Sequence, residues 1–192
     1  MNDAIKTKDV DLSRRHLLKL GAFGLLAGLC PSSSFAKMRV WQLPEKTLSF
    51  YNTHTEESLK TVYWTEGRYL VKPLAEINHI MRDYRTGETK SIDPRLLDLL
   101  HSVKKRLGSK QPFHIISGYR SPQTNAILRQ NDRGVANKSL HIEGKAVDIR
   151  LPDAELSTLH KVTRDLRRGG VGYYPRSDFI HVDLGPLRYW TG

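Results

Sequence analysis

Alternation of apolar and polar residues marks several strands along the chain. "KTLSFYNTHTEESLKTVYW" (46–64) has two runs rich in aromatic and β-branched residues around a polar, turn-like segment, which predicts a β-hairpin. "FHIIS" (113–117) and "KAVDIRL" (145–151) also have the pattern of strands. "VGYY" (171–174) and "DFIHVDL" (178–184) predict two more strands on either side of a short turn.

Apolar residues at helical spacing mark four other segments. The clearest begins at Asp93-Pro94, where a capping residue precedes a proline at the first helical position. Its apolar residues keep helical spacing until Gly108, which predicts the end of the helix. Three shorter helices are predicted from similar start and stop signals: from Lys72-Pro73 to the turn at 85–88, from Ser121-Pro122 to about Arg129, and from Asp153 to Gly169-Gly170.

These elements predict an α+β fold. Segments 145–151, 171–174 and 178–184 fit a single sheet that is mainly antiparallel, with the helices packed on one side. No internal repeat or low-complexity linker divides the chain after residue 36. We therefore expect residues 37–192 to form one domain.

The first 36 residues have the pattern of an export signal. Arg14-Arg15 precede a short apolar run at 20–30 and then small residues up to Ala36. The paired arginines are typical of twin-arginine export, although Leu17 replaces the usual phenylalanine and leaves the general export route open. The run is too short for a permanent membrane-spanning helix, so an anchoring helix is the weaker alternative. We predict that the segment is a signal peptide.

Charge and cysteine content narrow the possible functions. The net charge is +11, and it stays at +9 after residues 1–36, which hold five of the 31 Lys and Arg and three of the 20 Asp and Glu. An exported basic domain suits an anionic polymer or surface. Export and the lack of an aromatic-basic motif argue against nucleic acid. The single cysteine, Cys30, lies in the signal segment, which excludes a disulfide and a thiol nucleophile from the domain.

A histidine and an aspartate seven positions apart raise the question of a metal site. On a helix, His141 and Asp148 would be about 10 Å apart, too far to bind one ion, but a loop that leads into a strand can bring them together. Gly144 and Ala146 leave room for such a turn. Asp148 lies in an apolar strand, where a carboxylate needs a partner or a metal. Such a spacing is also common in purely structural positions.

His181 completes the predicted ligand set. On the strand 178–184, His181 and Asp183 share one face, so His181 can lie beside Asp148 of a neighbouring strand. Two imidazoles and one carboxylate suit a catalytic zinc with its fourth position open to water, and they also suit manganese or iron. Asp178, three residues before His181, is positioned to take a proton from that water. Asp183 is interpreted as a surface partner of a nearby arginine.

The same residues resemble a known metallopeptidase family. "SLHIEGKAVDI" (139–149) followed by "DFIH" (178–181) resembles the zinc motif of the family of D-alanyl-D-alanine carboxypeptidases and dipeptidases, whose metal-site layout the hedgehog domain shares. "SGYRS" (117–121) resembles its third motif. From about 46 to 190 the chain is similar to one branch, the exported murein endopeptidases of Gram-negative bacteria typified by murein endopeptidase K.

The resemblance implies a hedgehog-like and DD-peptidase-like fold and a role for each matching residue. It implies that His141, Asp148 and His181 bind one zinc ion. Asp178 would be the catalytic acid and base, although relatives often have a glutamate there. Arg120 would stabilise the oxyanion that forms on the amide carbonyl.

The implied substrate is peptidoglycan in the periplasm. The expected bond joins two diaminopimelate residues, with D-alanyl-diaminopimelate as a second possibility. Tyr173, Tyr174 and Trp190 lie near the last ligand in sequence and are predicted to line the substrate groove, with strand packing as the alternative for each tyrosine. A carboxypeptidase or dipeptidase and a non-catalytic zinc-containing wall-binding module are the competing functions. No oligomerisation segment is visible, so we expect a monomer.

Overall fold

The computed structural model describes residues 44–131, 136 and 138–192, so the predicted signal peptide lies outside the described residues. The strands are β1 Glu45–Asn52, β2 Ser58–Thr65, β3 Arg68–Tyr69, β4 Phe113–Ser117, β5 Ala146–Arg150, β6 Gly170–Tyr174, β7 Phe179–Asp183 and β8 Arg188–Thr191. The helices are α1 Val71–Ile80, α2 Pro94–Leu107, α3 Pro122–Asn131 and α4 Leu156–Asp165. None of these helices has the length and apolar character needed to cross a membrane.

The strands form one sheet in the order β3-β2-β1-β4-β5-β7-β6-β8. Its pairs are antiparallel except for β1 with β4 and β6 with β8, which are parallel. The predicted hairpin is formed by β1 and β2, and the three strands predicted to share a sheet are β5, β7 and β6. The predicted α+β class with a mainly antiparallel sheet is confirmed.

The two faces of the sheet have different environments. Val147 and Ile149 of β5 and Ile180 and Val182 of β7 are buried in the main hydrophobic core, where α1, α2 and α4 contact the sheet. Because side chains alternate along a strand, residues between these positions face the other way. The opposite face of the central strands is therefore available for the predicted site.

Helix α2 begins and ends at the residues that the sequence predicts from local capping signals. Asp93 caps α2 by accepting a hydrogen bond from the Arg95 backbone N–H, and Gly108 ends it with a φ of 66°. For α4 the predicted cap is wrong. The helix begins after Glu155, and the Asp153 carboxylate accepts a hydrogen bond from the Ser109 hydroxyl instead.

Candidate metal centre

Strand pairing places five residues in a row across the sheet. Ser117 of β4 pairs with Asp148 of β5, Asp148 with His181 of β7, His181 with Gly172 of β6, and Gly172 with Trp190 of β8. Asp148 and His181 are thus directly opposite each other, as the alternation predicts. They lie on the face away from the main hydrophobic core.

A tight turn brings His141 to this row. The Gly144 backbone N–H donates to the His141 carbonyl, and Lys145 donates to the Leu140 carbonyl at 2.9 Å. Gly144 has a φ of +67°, and a side chain there would overlap the carbonyl of Ser91. Only glycine combines this left-handed conformation with such a close approach at low cost. The six residues between His141 and Asp148 therefore contain a turn that folds His141 back onto the strand of Asp148.

Three potential ligand atoms converge at the centre of the site. The Nδ1 atom of His181 lies 2.8 Å from Oδ1 of Asp148 and 3.2 Å from Nε2 of His141, and the latter lies 3.4 Å from the same Asp148 oxygen. A tetrahedral zinc ion with bonds of ~2.1 Å separates its ligand atoms by roughly 3.4 Å. The three residues consequently fit one metal ion with little adjustment.

Each histidine is oriented by a partner on its other ring nitrogen. Nδ1 of His141 lies 2.7 Å from the carbonyl oxygen of Gly118, which can only accept, so this nitrogen carries the proton. Nε2 of His181 lies 2.9 Å from Oδ2 of Asp183, and it likewise donates a hydrogen bond to this carboxylate oxygen. In the neutral form of each imidazole, the nitrogen that faces the centre is therefore the one with a free lone pair, the arrangement found in histidines that bind metals.

Asp183 has a larger role than the sequence indicated. It does bind an arginine, Arg188, at 2.6 Å, but its side chain is completely buried rather than on the surface. It also accepts hydrogen bonds from the backbone N–H groups of Gly170 and Gly185 and contacts His181. The sequence feature that indicates this contact is the position of Asp183 two residues after His181, on the same face of the strand.

The buried ionisable groups of the cluster shift one another's pKa values. Burial alone would raise the pKa of Asp148, but His141 and His181 outweigh it and hold that pKa far below its usual range. Burial lowers the pKa of His141. Burial also opposes protonation of His181, yet the carboxylates of Asp148 and Asp183 outweigh it and raise its pKa to about 9. The carboxylates of Asp148 and Asp183 thus stabilise a positive charge at His181.

Arg120 reaches the cluster from the loop after β4. Its Nη2 atom lies 3.6 Å from Oδ2 of Asp148, and its backbone N–H donates to the His141 carbonyl. Burial lowers the pKa of Arg120 while Asp148 opposes this change. The side chain is only 12% exposed, so a cationic fork is fixed beside the predicted ligands. This is the position in which it can meet a developing negative charge.

A cavity of about 470 Å³ opens onto the cluster. Arg120, Tyr174 and Trp190 line it together with His141, Asp148 and His181. Helix α3 also contributes Leu128 to this cavity, which makes it the helix that reaches the face away from the main core. The space beside the three ligands can accept part of a substrate.

The aromatic residues separate into two groups. The Trp190 ring lies 5.3 Å from the His181 ring, and its Nε1–H donates to the Tyr174 hydroxyl at 2.9 Å. Gly172 makes this possible because a side chain there would overlap the Trp190 ring. Tyr173 points to the helical side and stacks on His160 of α4 at 4.8 Å. Its predicted place in the groove is therefore corrected to strand packing.

Asp178 does not line the cavity that contains the three ligands. It lies in the turn between β6 and β7, and its Oδ2 atom is 3.1 Å from Nη1 of Arg150. It lines a different cavity. Among the described residues that line the metal-site cavity, Asp148 is the only carboxylate. The carboxylate predicted to accept the proton of the water thus forms an exposed ion pair with Arg150, a long-range contact that the local sequence does not reveal, and its catalytic role stays a prediction.

Known proteins resemble this chain over most of its length. A family model described as peptidoglycan L,D-endopeptidase MepK matches residues 42–190. Peptidoglycan L,D-endopeptidase MepK of Escherichia coli K12 is 44% identical over 94% of this chain and 98% of its own. The probable peptidoglycan L,D-endopeptidase MepK of Haemophilus influenzae is 38% identical over 95% of this chain and 98% of its own.

Proposed function

Because the chain belongs to the peptidoglycan L,D-endopeptidase MepK family, we propose that it hydrolyses cross-links of peptidoglycan with water activated by one zinc ion. Membership of this family identifies the protein as a peptidoglycan endopeptidase of the zinc metallopeptidase class. The bond proposed as its main substrate joins two diaminopimelate residues, with the D-alanyl-diaminopimelate bond as a second substrate. His141, Asp148 and His181 are the proposed zinc ligands.

The convergence of three ligand atoms beside an open cavity carries this proposal. The atoms lie within 4.8 Å of one another, and each comes from a different part of the chain: a turn, β5 and β7. Gly118 and Asp183 occupy the outer nitrogens of the two histidines. A fourth ligand position facing the cavity suits catalysis rather than a purely structural metal.

The residues around the site have distinct proposed roles. A bound zinc ion would polarise the amide carbonyl and lower the pKa of its water to ~7. Arg120 would donate hydrogen bonds to the carbonyl oxygen as it gains negative charge, which suits a planar group that stays cationic. Tyr174 and Trp190 would contact the peptide on the side of His181. Gly118 and Asp183 would keep both imidazoles aligned.

The test is digestion of isolated peptidoglycan by the purified protein, with and without a chelator, followed by mass analysis of the muropeptides. We expect cross-linked dimers to fall to monomers only without the chelator, and the dimers that disappear identify the bond. Loss of terminal D-alanine alone would instead establish a carboxypeptidase. Elemental analysis of the purified protein then identifies the metal.

A matched pair of histidine variants makes the test specific. His141→Ala should abolish cleavage and lower the bound metal, whereas His79→Ala, at an exposed histidine beside Glu57, should preserve both. Equal activity of the two variants would overturn the proposed ligand set.

The location of the enzyme follows from the same proposal. A signal peptide at 1–36 would deliver it to the periplasm, where its polymeric substrate lies. The mass of the processed protein isolated from that compartment checks the predicted cleavage after Ala36. We expect the processed protein to be a monomer.

A further inference from the structure

A basic cavity of about 430 Å³ is formed by residues of β1, β2 and the end of α2. Four lysines line it: Lys60 of β2, Lys104 and Lys105 of α2, and Lys110 after this helix. Its described lining residues include no carboxylate, and none of them lines the cavity at the metal ligands. Positive charges around one concave surface reinforce each other's potential and attract anions. The cavity is therefore a candidate anion site separate from the metal centre.

The lysines of this cavity have no acidic partner within ion-pair distance. Among the described residues, Lys104 contacts only a neutral group, the Ser49 hydroxyl at 2.6 Å, and the other three lysines are exposed and form no ion pair. Burial lowers the pKa of Lys104, the carboxylate of Asp153 opposes this change, and Lys60 adds to it. Asp153 itself does not line the cavity and accepts a hydrogen bond from the Ser109 hydroxyl. A bound anion would relieve the repulsion between Lys60 and Lys104.

The end of the helix explains only part of this positive charge. Lys104 and Lys105 lie in the last turn of α2, where cations offset the partial negative charge of a helix terminus. This effect is confined to the last turn, whereas Lys60 belongs to another element and Lys110 lies beyond Gly108, which ends the helix. Lysines from outside the helix therefore converge on the same space, as expected of a binding site.

The donor groups favour a phosphate group over a carboxylate. All four cations are lysines, which bind phosphate as compact point charges, whereas a planar carboxylate is matched best by the fork of an arginine. The hydroxyl groups of Thr47 and Ser49 also line the cavity. Ser49 accepts a hydrogen bond from Lys104, so its own proton is available to another acceptor. The several oxygens of a phosphate group can accept from such donors in different directions.

We propose that this cavity binds a phosphate group, which the four lysines neutralise and the hydroxyl groups of Thr47 and Ser49 contact. Soluble phosphate esters and the head groups of anionic lipids both carry such a group. Because the cavity shares no lining residue with the one at the metal ligands, binding there leaves the site of hydrolysis free. The bound group would attach the protein to a phosphate-bearing molecule or surface.

The test is a titration of the isotope-labelled, metal-loaded protein with glycerol phosphate, followed by NMR. We expect saturable shifts at the backbone amides around Lys104, which distinguish this cavity from the metal centre. The double variant Lys60→Gln/Lys104→Gln should bind about tenfold more weakly or less, since each lysine supplies a charge-assisted hydrogen bond. Acetate should cause these shifts only at concentrations roughly ten times higher, because it lacks the tetrahedral oxygens.

A charge-matched variant controls for net charge. Lys90→Gln/Lys161→Gln removes two exposed lysines outside the cavity and should bind glycerol phosphate as the wild type does. A thermal unfolding midpoint close to that of the wild type shows that each double variant is folded. The phosphate site is overturned by an absence of shifts around Lys104, by equal binding of acetate, or by equal losses in the two double variants.

Vesicles then identify the source of the phosphate group. Sedimentation of the wild type, but not of Lys60→Gln/Lys104→Gln, with phosphatidylglycerol vesicles would assign a lipid head group. Binding of glycerol phosphate without sedimentation would assign a soluble phosphate ester. Sedimentation of the two double variants to the same extent would show general attraction to the anionic surface and count against the cavity.

Discussion

Single buried residues control the orientation of the proposed zinc ligands, and Asp183 is the clearest case. It contacts His181 at 2.9 Å and is held by Arg188 and two backbone N–H groups. We expect Asp183→Asn to weaken zinc binding by roughly 10- to 100-fold because the amide no longer fixes and polarises the imidazole. Competition with a chromogenic chelator measures the affinity. Asp165→Asn, at an exposed position, is the control, and equal affinities in the two variants would refute the role.

Gly172 is a second position that affects the site, because it has no side-chain carbon. A methyl group there would overlap the Trp190 ring and displace it from His181. We expect Gly172→Ala to lower kcat/KM for peptidoglycan fragments about tenfold, since the aromatic wall of the cavity is lost. The same substitution in a Trp190→Ala background should cost little, because the obstructed ring is already absent. Additive losses in this double-mutant cycle would contradict the explanation.

At the scale of elements, the sequence predicts features that depend on local signals. Helix α2 has its capping Asp93 and its Gly108 within one continuous segment. Strand alternation predicts that Asp148 and His181 can lie side by side, and the pairing of β5 with β7 then makes them direct partners. Alternation also separates Tyr173 from Tyr174, because neighbours on a strand face opposite sides. Predicting both in one groove overlooked this rule.

Other features depend on contacts that no local pattern contains. The two-residue strand β3 and the four-residue strand β8 are too short to show periodicity, and each is defined by its pairing partner. Asp153 resembles a helix cap but binds Ser109, 44 positions away. Asp178 pairs with Arg150 across the sheet. Tertiary partners therefore decide the roles of these polar side chains.

The loop that holds Arg120 depends on a buried carboxylate of another segment. Asp83 accepts hydrogen bonds from the backbone N–H groups of Ser121 at 2.8 Å and Arg85 at 3.0 Å. Burial raises the pKa of Asp83, but hydrogen bonds from Thr124 and Ser121 outweigh it and lower the pKa below its usual value. The ionised form therefore stabilises the native fold and fixes the segment that leads from Arg120 into α3.

We expect Asp83→Ala to reduce the free energy of unfolding by about 1–3 kcal/mol because it leaves buried N–H groups without partners. Since the native pKa is lowered, the stabilisation is complete above the unfolded value of ~3.9 and is lost as pH falls through the native one. Urea unfolding at neutral pH and near pH 3 checks this, with a smaller difference between wild type and variant in acid. A difference that does not change with pH would contradict the ionic contribution.

At the scale of the whole molecule, the two faces of the sheet have different roles: one packs into the hydrophobic core and the other carries the proposed site. One face of β5 and β7 is buried in the main core, and the other carries Asp148 and His181. Asp148 and His181 are thus fixed by two neighbouring interior strands of the sheet, and only His141 lies on a turn. A metal ion at this point would join the turn to the two strands.

Removal of the metal should therefore lower the stability of the entire domain rather than of one loop. A ligand present at a thousand times its Kd adds ~4 kcal/mol to native stability, which corresponds to a rise in Tm of about 8–16 °C for a domain of this size. Thermal unfolding of chelator-treated protein, with and without added zinc, measures this shift. We expect it to vanish in His141→Ala and to persist in His79→Ala, since only the first loses a proposed ligand. A shift of equal size in both variants would show that zinc stabilises the fold from another site.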